Sequence, residues 1–356
     1  MKIKFHGKKI SGVLGVLPKK VSYFNEEITN YTFSEKQSLR LKKIMGYEKH
    51  SIVNETTASS DLCLFGIKYL LENNNLKKEE IGAIIVVTIT PDYQLPQVSS
   101  IIHGELDLKQ NVFCIDINQG CTGFIYGLMQ GFMLLNHIEK KVILFNVDTL
   151  SKKVSIHDRN SYPLIGDAAT ITILENDVNA NDIHYRMYNS GKGRGALIIP
   201  AGGSRLRNSP ETAILNDLDN DGNLRSLDNL KMNGSEVFTF VQTKVPPLIE
   251  EMLNDSNQMK EDIDYYLFHQ PNKFMLKKLA EKLSIPYEKL PMNLVENYGN
   301  SSSATIPMTI VHNLSNKVIQ NKYNCCLAAF GAGLSWGAMT MELGEFDFCE
   351  MLISDY

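Results

Sequence analysis

Residues 112–135 read VFCIDINQGCTGFIYGLMQGFMLL. The first six, Val112-Phe113-Cys114-Ile115-Asp116-Ile117, are apolar and β-branched enough for a buried strand. From Phe124 onward the apolar residues Phe124, Ile125, Leu128, Phe132 and Leu135 fall on one helical face, with no proline to break it. Cys121 therefore stands where a strand turns into a helix. Gly120 and Gly123 flank it, as a sharp turn with φ > 0 or a close approach to a ligand would require. A thiol at that point lies near the free N–H groups of the first helical turn, whose partial positive charge favours thiolate. The stretch thus offers a nucleophile, while a small buried hydrophobe is the other fate of a cysteine in such a place.

Working outward, 356 residues fill one large domain or two ordinary ones. A net charge of -4 gives no basic surface for nucleic acid. Cysteines at 63, 114, 121, 325, 326 and 349 form no CxxC pair and no metal or disulfide spacing, so reduced thiols of a cytoplasmic protein are expected. The N-terminus has the charge of a signal peptide without its apolar core, because Ser11, Gly12, Gly15 and Pro18 interrupt it. No run approaches the roughly 20 apolar residues of a membrane span.

Short runs rich in Val and Ile at 84–89, 112–117, 142–147 and 170–174 alternate with helical patterns at 58–71, 97–106 and after Cys121. This alternation predicts a largely parallel sheet faced by helices. The second half repeats the plan. An amphipathic stretch, 236–253, should bend or restart at Pro246-Pro247. A strand at 265–268, helices at 275–283 and 306–319, and a hairpin of 324–330 with 336–343 follow. Two α/β halves joined within the polar stretch 176–195 make a duplicated fold. The loop 216–229 has a calcium-loop look at Asp217, Asp219 and Asp221, but its twelfth position is Asp228 where a bidentate Glu is wanted, so no metal site is expected.

Three further stretches have the character of site loops. His269-Gln270-Pro271-Asn272 follows a strand directly, at the carboxyl end where α/β sheets place ligands. Tyr298-Gly299-Asn300-Ser301-Ser302 opens a helix. Phe330-Gly331-Ala332-Gly333-Leu334-Ser335-Trp336-Gly337 is a glycine turn between apolar strands. Each alone is also explained by structure: a satisfied histidine, an N-cap, a tight hairpin.

Taken together with Cys121-Thr122-Gly123-Phe124, their order and spacing resemble the β-ketoacyl-acyl-carrier-protein synthase III family of the thiolase superfamily. Gly166-Asp167-Ala168-Ala169 and Met232-Asn233-Gly234-Ser235-Glu236-Val237-Phe238 resemble two more of its segments, and the likeness runs from about residue 7 to 343. The resemblance implies a duplicated thiolase-like α/β fold, layered α-β-α-β-α around two mixed sheets, with half 1–180 carrying the cysteine and half 181–356 the histidine and asparagine. It implies a decarboxylative Claisen condensation of an acyl thioester with malonyl-acyl carrier protein. Cys121 would carry the acyl group, with N–H groups of Cys121 and Gly333 as the oxyanion hole, and His269 and Asn300 would bind the enolate left by CO2 loss. No cofactor is implied beyond the coenzyme A or phosphopantetheine thioester that is substrate.

By the same resemblance Arg159, Asn272, Leu95 and Gly234 would lie along the substrate path, Leu95 as the pocket wall given by the second subunit of a homodimer. Lys273, Lys277, Lys278 and Lys282 would dock the acidic acyl carrier protein. The chain departs from the family where coenzyme A adenine is stacked. The stretch Leu39 to His50, LRLKKIMGYEKH, has no Trp, which weighs toward a carrier-protein acyl donor over acyl-CoA. Leu95-Pro96 in place of a Phe permits a starter longer or more branched than acetyl. Rival outcomes of the same site are transfer of the acyl group to an alcohol or amine without decarboxylation, and a non-catalytic partner subunit. Condensation of the 3-hydroxy-3-methylglutaryl-CoA synthase type would need an acid/base Glu, and no counterpart stands out.

Overall fold

A computed structural model describes residues 1–356. Two sheets are built from runs of apolar, β-branched residues that are covered on both faces. The first has six strands in the order Phe348–Ile353, Lys8–Leu17, Ala168–Asn176, Lys141–Asp148, Ile81–Val87 and Phe113–Ile117. The second has five, in the order Lys2–Phe5, Ile183–Asn189, Ser335–Gly344, Lys322–Gly331 and Tyr265–Phe268. Both are mixed: Ile81–Val87 runs parallel to both its neighbours, whereas Lys141–Asp148 and Ala168–Asn176 are antiparallel. Only part of the expected parallel sheet is therefore parallel.

Helices Gly123–Leu134 and Thr305–Gln320 lie between the sheets and touch strands of both. Their apolar faces, Phe124, Ile125, Leu128 and Phe132 from one and Ile306, Ile310 and Leu314 from the other, merge into one core with Val87, Leu144 and Leu327. Helices Ser59–Glu72 and Val98–Glu105 cover the outer face of the six-stranded sheet, and Gly234–Ser256 with Lys273–Leu283 cover that of the five-stranded one. The order of layers is α-β-α-β-α.

Three details go beyond the sequence reading. Both termini cross the division near residue 180: Lys2–Phe5 pairs antiparallel with Ile183–Asn189, and the tail strand Phe348–Ile353 pairs parallel with Lys8–Leu17. Gly234–Ser256 is one helix that contains Pro246 and Pro247, without a restart there. A proline N–H is missing at 246, and the carbonyl it leaves free, that of Gln242, accepts from the Lys282 ammonium at 2.7 Å. In the loop 216–229, Asp219 and Asp221 face Arg225, Asp219 also meets Lys231, and Asp217 accepts from the N–H groups of Asp221 and Gly222.

Candidate active site

The three site-bearing loops converge on one cavity of about 450 Å³ that is lined by Cys121, His269, Asn300, Ser302, Gly331 and Ala332 at one end, and by Leu197, Leu230, Val237 and Met275 among its apolar walls. That size and mixed lining suit a small-molecule acyl site.

Cys121 immediately precedes the capping Thr122 of helix Gly123–Leu134 and is part-buried. Gly123 is held close to the neighbouring strand rather than to a ligand, since a Cβ on it would stand 2.4 Å from Val87 Cγ1, and neither Gly120 nor Gly123 has a positive φ. Gly331 is glycine for the cysteine's sake: a Cβ on it would stand 2.8 Å from the Cys121 sulfur. The expected thiolate is not the resting form. Burial pushes the thiol up to about 11, against the opposing pull of N–H groups of Ala332 and Cys121 itself and of the Ser302 hydroxyl. The glycine turn thus presents the Ala332 N–H to the sulfur, and Ala332, unlike Gly333, lines the cavity.

His269 follows strand Tyr265–Phe268, and its backbone N–H continues the ladder by donating to the Ala328 carbonyl at 2.8 Å. Its ring is 1% exposed, and burial lowers it to about 3, opposed by the Ser302 carbonyl, so the imidazole is neutral at any working pH. Nδ1 lies 2.7 Å from the Thr305 hydroxyl oxygen. The same hydroxyl donates to the Ser302 carbonyl at 3.1 Å, so it ties the ring to the turn that carries Ser302. Gln270 turns away from the site and donates to the carbonyls of Phe268 and Pro291.

Asn300 is held by its own backbone: its N–H donates to the Leu164 carbonyl at 2.6 Å, and its carbonyl accepts from Gly166 N–H at 3.2 Å. The two chains approach so closely that a Cβ on Gly166 would stand 2.0 Å from the Tyr298 carbonyl oxygen, and Gly299 takes φ +82°. The side-chain Oδ1 accepts from Ser302 N–H at 2.9 Å, which leaves the Nδ2 donor to the cavity. Asp167 of the same motif is fully buried and bonds the N–H groups of Val53 and Ser151, each at 2.9 Å, so it braces the loop.

The remaining sequence-predicted residues divide. Asn272 lines the cavity but also caps helix Lys273–Leu283, with Oδ1 accepting from Met275 N–H at 2.8 Å. Gly234 is exposed at the start of its helix and lies outside the cavity, to which Met232 and Val237 contribute instead. Leu95 is 83% exposed and lines nothing in its own chain. Of the four docking lysines, Lys273 pairs with Glu296 at 3.0 Å, Lys278 pairs with Glu281, and Lys282 holds Gln242, while Lys277 is exposed. Arg159 lies outside the cavity with its guanidinium 3.4 Å from the Phe33 ring centroid. Phe33 was missed because the aromatic was sought within 39–50; it stands just before helix Glu35–Met45.

Comparison with known proteins bears directly on this arrangement. Residues 115–198 match the family model described as 3-oxoacyl-[acyl-carrier-protein (ACP)] synthase III, and 253–343 match the model of its C-terminal part. A β-ketoacyl-[acyl-carrier-protein] synthase III of Clostridium tetani is 35% identical over 85% of this chain and 89% of its own. This chain belongs to the 3-oxoacyl-acyl-carrier-protein synthase III family. A Clostridium perfringens β-ketoacyl-[acyl-carrier-protein] synthase III is 32% identical over 90% of this chain and 94% of its own. The crystal structure of a 3-oxoacyl-(acyl-carrier protein) synthase from Burkholderia xenovorans LB400 superposes with a TM-score of 0.92, at 31% identity and 99% coverage of both chains. The fold is thus thiolase-like, and membership places the protein among the condensing enzymes of the transferase class. No helix is long and apolar enough to cross a membrane.

Proposed function

We propose that the protein condenses an acyl thioester with a malonyl thioester on acyl carrier protein, through an acyl group held on Cys121, with loss of CO2. The observation that carries this reading is the convergence of Cys121, His269 and the Asn300 amide on one apolar-walled cavity. The Cys121 sulfur attacks the donor thioester, and the N–H groups of Cys121 and Ala332 receive the tetrahedral oxyanion. Malonyl decarboxylation then puts charge on a thioester oxygen. Asn300 Nδ2 and, in its Nε2–H tautomer, His269 donate to it. A neutral imidazole suits a hydrogen-bond donor, and CO2 loss, rather than proton abstraction, generates the carbanion. The decisive experiment is intact-protein mass spectrometry after mixing with acyl donors, chased with malonyl-carrier protein. A mass increment on Cys121 that vanishes with formation of a 3-oxoacyl product is expected; an increment discharged only by a hydroxyl or amine acceptor would overturn condensation in favour of simple acyl transfer.

Two further parts of the proposal rest on surface features. The six-stranded sheet ends at Phe113–Ile117, whose outer edge is unpaired and whose Phe113 is 47% exposed. An open edge of that kind is a template for pairing, and a homodimer joined there would cover it and bring Leu95 to a neighbouring cavity. The acyl donor is proposed to be carrier-bound. Arg159 and Phe33 already lie face to face at 3.4 Å, with no room for an adenine between them. Loop 216–229 packs on the same place, through Thr32 donating to the Gly222 carbonyl and Arg159 N–H donating to Asn223 at 2.9 Å. Acyl-carrier protein should therefore exceed acyl-CoA in kcat/KM by about tenfold or more, a difference of about 1.4 kcal/mol in transition-state binding. Equal use of the two donors in a steady-state comparison would remove the closed slot as a determinant.

A further inference from the structure

The last residue of strand Lys141–Asp148 carries a carboxylate with no place in the chemistry above. Asp148 is fully buried, and the Ser302–Ala304 turn packs against its strand. One oxygen, Oδ1, accepts from Ile89 N–H at 2.8 Å and from the hydroxyls of Thr88 and Thr90 at 3.2 and 3.3 Å. The other, Oδ2, is buried without a partner, and so is the Ser302 hydroxyl. Unpartnered buried polar atoms are uncommon and call for a reason. Ser302 also holds φ +55°, a left-handed conformation that a serine adopts only under constraint. That conformation turns its hydroxyl toward both the Cys121 thiol and the Asp148 carboxylate while it is bonded at ordinary geometry to neither.

A hydroxyl has one proton and two lone pairs, so it can accept from one neighbour while donating to the other. We propose that Ser302 relays the proton of the Cys121 thiol to Asp148 when the sulfur attacks, and returns it when the sulfur is expelled; this rests on the acyl-cysteine reading above. The Sγ–H bond breaks as Ser302 Oγ takes that proton, and the proton Ser302 held moves to Asp148 Oδ2. The sulfur then forms its bond to the thioester carbonyl carbon, and the departing carrier thiolate takes a proton from solvent. When the carbanion displaces the sulfur, the two protons move back and the thiol is restored. Burial holds the Asp148 carboxyl up, to about 7, so that both its forms exist where the enzyme works. The groups that Thr88, Ile89, Thr90 and Ser303 present to it are hydroxyls and N–H groups; the titratable groups facing the pair are Cys121 and, across the cavity, His269.

The test is the pH dependence of iodoacetamide alkylation of Cys121 in the resting full-length enzyme, read by peptide mass, alongside the pH dependence of single-turnover acylation. Ser302→Gly, which suits the positive φ, and Ser302→Ala remove the group that accepts the thiol proton, and alkylation at fixed pH should slow by about tenfold, one unit of thiol pKa. Asp148→Asn removes the final acceptor, so alkylation should slow in the same direction and the inflection near neutral pH in the acylation rate should disappear. A carboxylate that acted only as a negative charge near the sulfur would give the opposite sign, because its removal would ease ionisation and speed alkylation. Faster alkylation in Asp148→Asn, or an Asp148→Asn enzyme that keeps the wild-type inflection, would overturn the relay. Alkylation needs no thioester, so a failed condensing reading would show as absent acylation with the alkylation shifts intact.

Discussion

Replacing Cys121 by Ser is expected to abolish the acyl-enzyme and to lower condensation on the order of 10⁴–10⁶, the scale on which nucleophile knockouts act. The hydroxyl would occupy the same space, since the sulfur already fits against Gly331 only because that residue has no Cβ. The smaller oxygen relaxes that contact, and the fold and melting temperature should hold. What changes is chemistry: a serine hydroxyl is harder to ionise than the thiol, and a serine ester is a poorer acyl donor to a carbanion than a thioester. Mass spectrometry with an acyl donor should show no increment. The other five cysteines are no substitutes, because none lines the cavity. A Cys121→Ser protein that still takes up one acyl group per chain would show that the nucleophile is elsewhere.

The thiol's ionisation could not have identified Cys121, since burial raises it as it raises the others. What identified it in the sequence was position, at the junction of an apolar strand and a helical face, in register with two distant loops. Such patterns are local, and so were legible: the strands at 113–117 and 141–148 and the helix at 123–134 follow from periodicity. Lys8–Leu17 was not legible, because Ser11, Gly12 and Gly15 break the apolar run. A Cβ at Gly12 would meet the Phe348 ring and one at Gly15 the Met308 sulfur, contacts made by residues about 300 positions away. Ile183–Asn189 alternates inward Ile183, Tyr185 and Met187 with polar residues, yet lay within a stretch read as a linker. The unbroken helix through Pro246 depends on Lys282, on another helix. Motif spacing singled out Cys121, His269 and Asn300, which line one cavity, while the N–H of the glycine turn that meets the Cys121 sulfur is that of Ala332, one residue before Gly333. Which N–H of a turn points at a sulfur is a matter of backbone torsion, and residue types do not encode it uniquely.

Asn300→Asp should separate the two halves of the reaction. The amide has two duties: Oδ1 fixes the following turn by accepting from Ser302 N–H, and Nδ2 is free to donate into the cavity. Asn300→Ala would remove both and confound a lost donor with a loosened turn. Aspartate keeps the acceptor and replaces only the donor, with an oxygen that faces the developing enolate with negative charge. The loss should therefore fall on malonyl decarboxylation, on the order of 10²–10³, as for other oxyanion donors, while acylation of Cys121 by the donor thioester stays within a few fold of wild type. His269→Ala should give the same division, since a buried neutral imidazole acts on the same oxygen. Single-turnover acylation followed by quantitation of CO2 from labelled malonyl thioester reads the two steps separately. Asn300→Asp enzyme that decarboxylates at the wild-type rate would take the amide out of the enolate site. Equal losses in both steps would mean instead that the turn carrying Ser302 had moved, and with it the surroundings of the Cys121 sulfur.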